Sequence, residues 1–216
     1  MEVRKTMLDE KIKQEVSKIL ANMTKPVTIK LFSQEMECGY CKETHELLND
    51  LITTTDKLKL EVYDFVKDTA EVEKYGIEQI PAMVVEDEKD RNLRFYGIPA
   101  GYEFSSLLNA LLMVSTGVAK LTDQTKAFLA DLQKPVTLKV FVTPTCPYCP
   151  QAVILAQQLA YSSDKVKAEM IEVSEFPHLA VKYGVQGVPR TVINEKWFQE
   201  GAAPEPMLID KIKEAL

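Results

Sequence analysis

The 216-residue chain has four cysteines, and all of them fall into two Cys-x-x-Cys pairs, Cys38-Gly39-Tyr40-Cys41 and Cys146-Pro147-Tyr148-Cys149. Two thiols at this spacing can form a mixed disulfide at one sulfur and expel the captured partner with the other, which is dithiol–disulfide exchange. The attacking species is the thiolate. The start of a helix favours it, because the unpaired N–H groups of the first turn and the positive end of the dipole face the sulfur. Cys38 and Cys146 are thus the candidate nucleophiles, with Cys41 and Cys149 resolving. The rival chemistry is one structural zinc site of four thiolates. Against it, 104 residues separate Cys41 from Cys146, and each pair stands at its own strand-to-helix junction. No metal and no bound cofactor is expected, since the thiols themselves carry the electrons.

The elements around the two pairs are copies of one another. Lys25–Phe32 returns as Lys134–Phe141 at an offset of 109 residues, and from the cysteines onward an offset of 108 holds for 40 residues, aligning Tyr75–Pro81 with Tyr183–Pro189. The first copy carries one extra residue within Ser33–Glu37. The repeat implies two copies of one domain, residues 1–118 and 119–216. The only plausible seam, Ser115–Lys120, is short and has no proline, which predicts halves held against each other.

Leu8, Ile12, Val16, Ile19 and Leu20 have the spacing of an amphipathic helix over residues 7–23. Val27–Phe32 alternates and is rich in β-branched residues, a strand, and Cys38 opens a helix to about Thr53. A strand at Lys59–Phe65, a short helix Ala70–Tyr75 closed by Gly76, a hairpin from Ala82–Glu86 to Leu93–Tyr96 and a closing helix Phe104–Ser115 complete the first copy. The second repeats them: a helix Thr122–Leu132 with Thr122 as N-cap, strands Val136–Val142 and Ala168–Val173, a helix His178–Tyr183, a hairpin around Asn194–Glu195 and a last helix Pro206–Leu216. Each copy reads β-α-β-α-β-β-α behind an extra helix. The fold class is therefore α/β, each domain a central mixed sheet flanked by helices.

The totals narrow the function. With 46% apolar and 27% charged residues the composition is that of a globular protein, and no run nears the length of a membrane span, so no membrane role is expected. A net charge of −6 argues against nucleic acid as a partner. Met1–Glu10 lacks the apolar core and cleavage site of a secretory signal, so an intracellular, cytoplasmic location is expected. Paired cysteines there read as catalytic, with hyperthermophiles, whose proteins are rich in Glu and Lys, as the disulfide-bearing exception.

Cys-Pro-Tyr-Cys after a strand, an Ile/Val-Pro dipeptide 40 residues beyond the second cysteine, and this element order resemble the thioredoxin and glutaredoxin fold. Two such units with both cysteine pairs intact resemble the protein disulfide oxidoreductases of thermophiles, relatives of protein disulfide isomerase. The resemblance implies reduction, oxidation or isomerisation of protein disulfides, with electrons supplied by a thioredoxin reductase-like flavoenzyme. It further implies that Pro81 and Pro189 are cis-prolines facing the sulfurs, and that the backbone of Ile80 and Val188 pairs with an extended substrate. Two related readings stay open: a glutathione-dependent glutaredoxin-type reductase, and an electron relay of the kind that recharges peroxiredoxin. The buried acid that many thioredoxins place in the strand before the motif is missing, since Leu31-Phe32 and Val140-Phe141 are apolar. That leaves open whether Glu61 or Glu169, one strand on, assists proton transfer.

The two sites should differ. Glu35, Glu37 and Glu43 surround the first pair and should raise its thiol pKa, making Cys146–Cys149 the more reactive. Tyr40 and Tyr148 are expected on the rim that meets the substrate. His45 reads as a solvated or partly packed side chain, with a metal or pKa-shifting role as the functional alternative. His178 reads as a helix-start residue. Arg190 reads as a surface arginine, or as one that steers an acidic peptide or glutathione.

Overall fold

The computed structural model describes residues 6–216; residues 1–5 of the stretch read for a secretory signal lie outside the described residues. The first half contains α1 (Glu10–Leu20), β1 (Val27–Ser33), α2 (Cys41–Ile52), β2 (Leu58–Asp64), α3 (Thr69–Tyr75), β3 (Ala82–Glu86), β4 (Asp90–Tyr96), a 3₁₀ turn at Gly101–Glu103 and α4 (Phe104–Thr116). The second contains α5 (Asp123–Ala130), β5 (Val136–Val142), α6 (Cys149–Ser162), β6 (Val166–Glu172), α7 (Pro177–Lys182), β7 (Arg190–Ile193), β8 (Trp197–Glu200) and α8 (Glu205–Glu214). Local chemistry sets the ends. Asp9 caps α1 by accepting the Ile12 N–H at 2.8 Å, and Thr122 caps α5 by accepting from Thr125. Gly76 and Gly117 end α3 and α4 in the left-handed conformation.

The two four-stranded sheets merge into one of eight strands, ordered β2-β1-β3-β4-β6-β5-β7-β8. The seam is the parallel pair β4·β6, in register from Leu93 opposite Ala168 to Tyr96 opposite Ile171. Within each half the hairpin is antiparallel and the β-α-β pair parallel, with Val27 opposite Leu58 and Val136 opposite Val166. The halves join by unlike edges, which leaves β2 free at one end and β8 at the other.

Alternation along the strands divides the core between the two sheet faces. Ile29, Leu31, Met83, Phe95, Leu138, Val140 and Met170 point to one face, where Leu48 and Leu51 of α2, Leu107 and Leu111 of α4, and Val153 and Leu159 of α6 cover them in a single cluster spanning both halves. Phe32, Val84, Tyr96, Phe141, Ile171 and Val192 point to the other face, under Tyr75 and Phe176. The closing helix α4 packs across α6, so the halves share a core as well as a sheet. Ser115, buried in α4, fixes the entry to β1: its Oγ accepts from the Thr24 and Lys25 N–H groups at 2.9 and 3.0 Å.

Candidate functional site

The strands β1 and β5 run parallel through the common sheet, so both cysteine motifs leave it at the same end, under helices on the same face. The helices start at the second cysteine of each pair, with Tyr40 and Tyr148 in the N-cap position, and not at Cys38 as the sequence suggests. At the second motif the free N–H groups of the first turn explain this: the Cys149 N–H donates to Cys146 Sγ at 3.1 Å, so that sulfur lies just beyond the helix end. Each pair is bridged by a disulfide, with Cα atoms 5.5 Å apart in both. No sulfur is shared between the pairs, and no group of three or more potential metal ligands occurs among the described residues.

Cys41 and Cys149 are buried at 2% and 0% exposure, Cys146 is at 8%, and Cys38 is more open. Tyr40 and Tyr148 stand out from the motifs at 46% and 69% exposure. Ile80–Pro81 and Val188–Pro189 are both cis, and Pro81 and Ile80 line a cleft of 390 Å³ together with Cys38 and Tyr40. A second cleft, of 490 Å³, flanks the other side of the first pair; His45, Lys42 and Tyr63 line it with Cys38 and Cys41. His45 is thus half-buried beside the sulfurs. His178 is in the wall of the 390 Å³ cleft, although the sequence offers no hint beyond a helix start.

Glu61 and Glu169 lie away from the sulfurs. Each bonds a lysine on the sheet face opposite the cysteine helices: Lys30 Nζ to Glu61 at 2.5 Å and Glu86 at 3.4 Å, Lys139 Nζ to Glu169 at 2.7 Å and Glu195 at 3.2 Å. Lys30, then Lys59 and Tyr63, hold the Glu61 carboxyl down at about 2. Burial alone would raise Glu169, but Lys139 and Lys167 outweigh it and keep it below the usual range. Burial would lower both lysines, yet their acidic partners raise them. These are closed ion pairs, unsuited to passing a proton near neutrality.

The carboxyl group that the sequence does not reveal is Glu103. It is 1% exposed, its Oε2 accepts from Ser106 Oγ at 2.6 Å, and its Oε1 has no partner. Burial pushes it up to about 7 against the pull of Ser106. The neighbouring Tyr102 N–H donates to the Pro144 carbonyl at 2.9 Å, two residues before Cys146. A side chain on Gly101 would run into the same carbonyl, so this approach needs a glycine. Arg190, read as a surface arginine, is instead engaged: its guanidinium pairs with Glu200 and lies 3.7 Å from the centre of the Phe198 ring.

Comparison with known proteins agrees with this geometry. A family model described as a thioredoxin domain matches twice, over residues 27–109 and 136–214. The chain is similar to a protein disulfide oxidoreductase from Aeropyrum pernix K1, at 31% identity and TM-score 0.91, covering 99% of this chain and 96% of that one. It is also similar to a structure of the alkylhydroperoxide reductase AhpF from Enterococcus faecalis, at 28% identity and TM-score 0.88, covering 95% and 99%. Among curated relatives, the AhpF-type alkyl hydroperoxide reductase of Xanthomonas campestris pv. phaseoli is 26% identical over 95% of this chain. The chain spans only 37% of that relative's length.

Proposed function

We propose, on the premise that this chain belongs to the thioredoxin domain family, that Cys38–Cys41 and Cys146–Cys149 are the two reacting pairs of a protein dithiol–disulfide oxidoreductase. Thiol–disulfide exchange is the activity its relatives and its two Cys-x-x-Cys motifs support. The observation that carries the assignment is the helix-start N–H of Cys149 donating to Cys146 Sγ, in a bridged pair whose leading cysteine is 8% exposed and whose second is fully buried.

In the reducing direction the Cys146 thiolate attacks one sulfur of a substrate disulfide. A new S–S bond forms, the substrate S–S bond breaks, and the departing sulfur takes a proton. The Cys149 thiol then loses its proton and attacks Cys146 Sγ. This forms the internal disulfide and releases the second substrate thiol, so two electrons and two protons have passed to the substrate. The helix-start N–H stabilises negative charge on Cys146 while it attacks and while it leaves. Glu103 is the group we assign to the Cys149 proton: it has one unpartnered oxygen, a pKa near neutrality and a place on the turn that braces the Cys146 loop. Main-chain groups of Ile80 and Val188, next to Pro81 and Pro189, hold the substrate in an extended form, with Tyr40 and Tyr148 at the rim. The first pair works the same way through Cys38 and Cys41.

We further propose a thioredoxin reductase-like flavoenzyme as the electron donor and the cytoplasm as the place of action. No helix among the described residues is long and apolar enough to cross a membrane. A relay of electrons toward peroxiredoxin is a second reading, favoured by the likeness along nearly all of the chain to the hydroperoxide reductase AhpF. Insulin reduction by the full chain, alone and with Cys38 or Cys146 replaced by serine, tests the assignment. Reduction is expected, and activity untouched by loss of both cysteines would end it.

A further inference from the structure

The cleft beside the first sulfur pair is built by both halves. Cys38, Tyr40 and Pro81 come from the first, and Glu175, Phe176 and His178 from the second. The seam explains why. Because β6 runs parallel to β4 with Ile171 opposite Tyr96, and β4 is antiparallel to β3 with Tyr96 opposite Ala82, the chain leaving β6 emerges beside Pro81. Hydrogen bonds fix it there: the Gly97 N–H donates to the Pro81 carbonyl at 2.9 Å, and the next N–H, of Ile98, donates to Glu175 Oε1 at 2.7 Å.

We infer that this composite cleft selects the substrate of the first site: it takes an extended polypeptide that carries a lysine or arginine beside its disulfide, with Glu175 of the second half as the specificity-determining contact. The inference rests on the exchange reading of Cys38–Cys41. The ionisable side chains lining the cleft, apart from the motif itself, are Glu37, Glu78 and Glu175 against His178, and its lining includes no lysine or arginine. Glu175 is anchored through one oxygen, and its other oxygen has no hydrogen bond among the described residues. Burial, opposed by the Ile98 N–H and reinforced by Glu172 and Glu43, pushes its carboxyl up to about 7. Such a group gains from a cation brought by a ligand, and an arriving carboxylate meets three of its own sign. At the second site the equivalent position is empty: the Gly201 N–H donates to the Pro189 carbonyl at 2.8 Å, and nothing lies within 4 Å of where a Gly201 side chain would be.

The test uses the full chain with Cys146 and Cys149 replaced by serine, reduced and freed of reductant, against two disulfide peptides that differ only in a lysine or a glutamate next to the cysteine. At low ionic strength the lysine peptide should be reduced ~10-fold faster. Glu175→Gln, which keeps an oxygen acceptor for the Ile98 N–H, should bring the ratio toward one, and Glu175→Lys should invert it. Glu78→Gln, on another wall, should lower the ratio less. In the mirror chain, with Cys38 and Cys41 replaced, Glu175→Gln should leave the ratio as it was. Equal rates on the two peptides, a ratio indifferent to Glu175, or an equal change at both sites overturns the inference while leaving exchange standing. Failure of the first pair to reduce any peptide removes the exchange reading of that pair, and the inference with it.

Discussion

Gly97 and Gly201 hold matching posts in the two halves, each turning the chain after the last strand of its half and each donating its N–H to the carbonyl of the cis-proline of that half. Their φ angles are alike, 91° and 72°. Their surroundings are not. A side chain at Gly97 would strike Glu172 and Glu175 of the other half, whereas Gly201 faces open space. The two posts share a backbone conformation, and the joining of the halves by unlike sheet edges makes their surroundings unequal. The first has a wall borrowed from its neighbour. The second has its loop braced from behind by Tyr102 and carries the N–H···S contact, which has no counterpart at Cys38 among the described residues.

The largest expected consequence concerns the sulfurs. Cys146→Ser should lower insulin reduction by about 10-fold, while Cys38→Ser, which leaves the more reactive pair intact, removes only the small remaining share. Equal losses, or the reverse order, would erase the functional asymmetry while leaving the structural one.

Next comes Glu103. Its folded pKa of about 7 lies above the ordinary value for a glutamate, so folding favours the protonated form. The unfolded chain holds fewer protons between these values, and stability falls as pH rises through that window, by about 3 kcal/mol for this group. Urea unfolding between pH 4 and 8 should show that slope reduced in Glu103→Gln. In a chain retaining only the second pair, the same variant should flatten the pH profile of exchange near 7, and a chain retaining only the first pair should not respond.

The glycines give a smaller contrast. Gly97→Ala adds a clash with packed carboxylates to the cost of a left-handed alanine and should destabilise by about 3 kcal/mol. Gly201→Ala bears the backbone cost alone, about 1 kcal/mol. Equal values would show that the seam yields around Gly97.

The smallest contrast is at the helix starts. Asp9→Ala and Thr122→Ala should each cost about 1 kcal/mol, the second slightly more because the Thr122 hydroxyl also donates to Glu205 Oε1 at 2.6 Å. Thermal unfolding of the two variants measures both.

Much of the molecule is legible in its residues. Alternation in Val27–Phe32 and Val136–Val142 marks the strands because each faces two packed layers, and the repeat carries that reading from one half to the other. The cysteines announce themselves by type and spacing, and Pro81 and Pro189 through the resemblance. The seam is different. A parallel pairing of β4 with β6 depends on two edges meeting in space, and no residue in Leu93–Tyr96 or Ala168–Ile171 signals it. What the seam creates is hidden with it. Glu103 looks like a surface residue before a helix, and Glu175 like part of a polar turn. The one hint is glycine at 97 and 101, both required by close approach of the other half.

Between the strands that feed the two motifs lie β3, β4 and β6, four inter-strand steps or ~19 Å at the usual spacing. A ladder of this kind acts as a ruler: it keeps the two redox centres on one side of the molecule at a constant gap that neither can swing across. On the exchange reading we propose, electrons moving from one to the other are ferried by a third molecule, and a client with two bridges set that far apart is held at both ends at once.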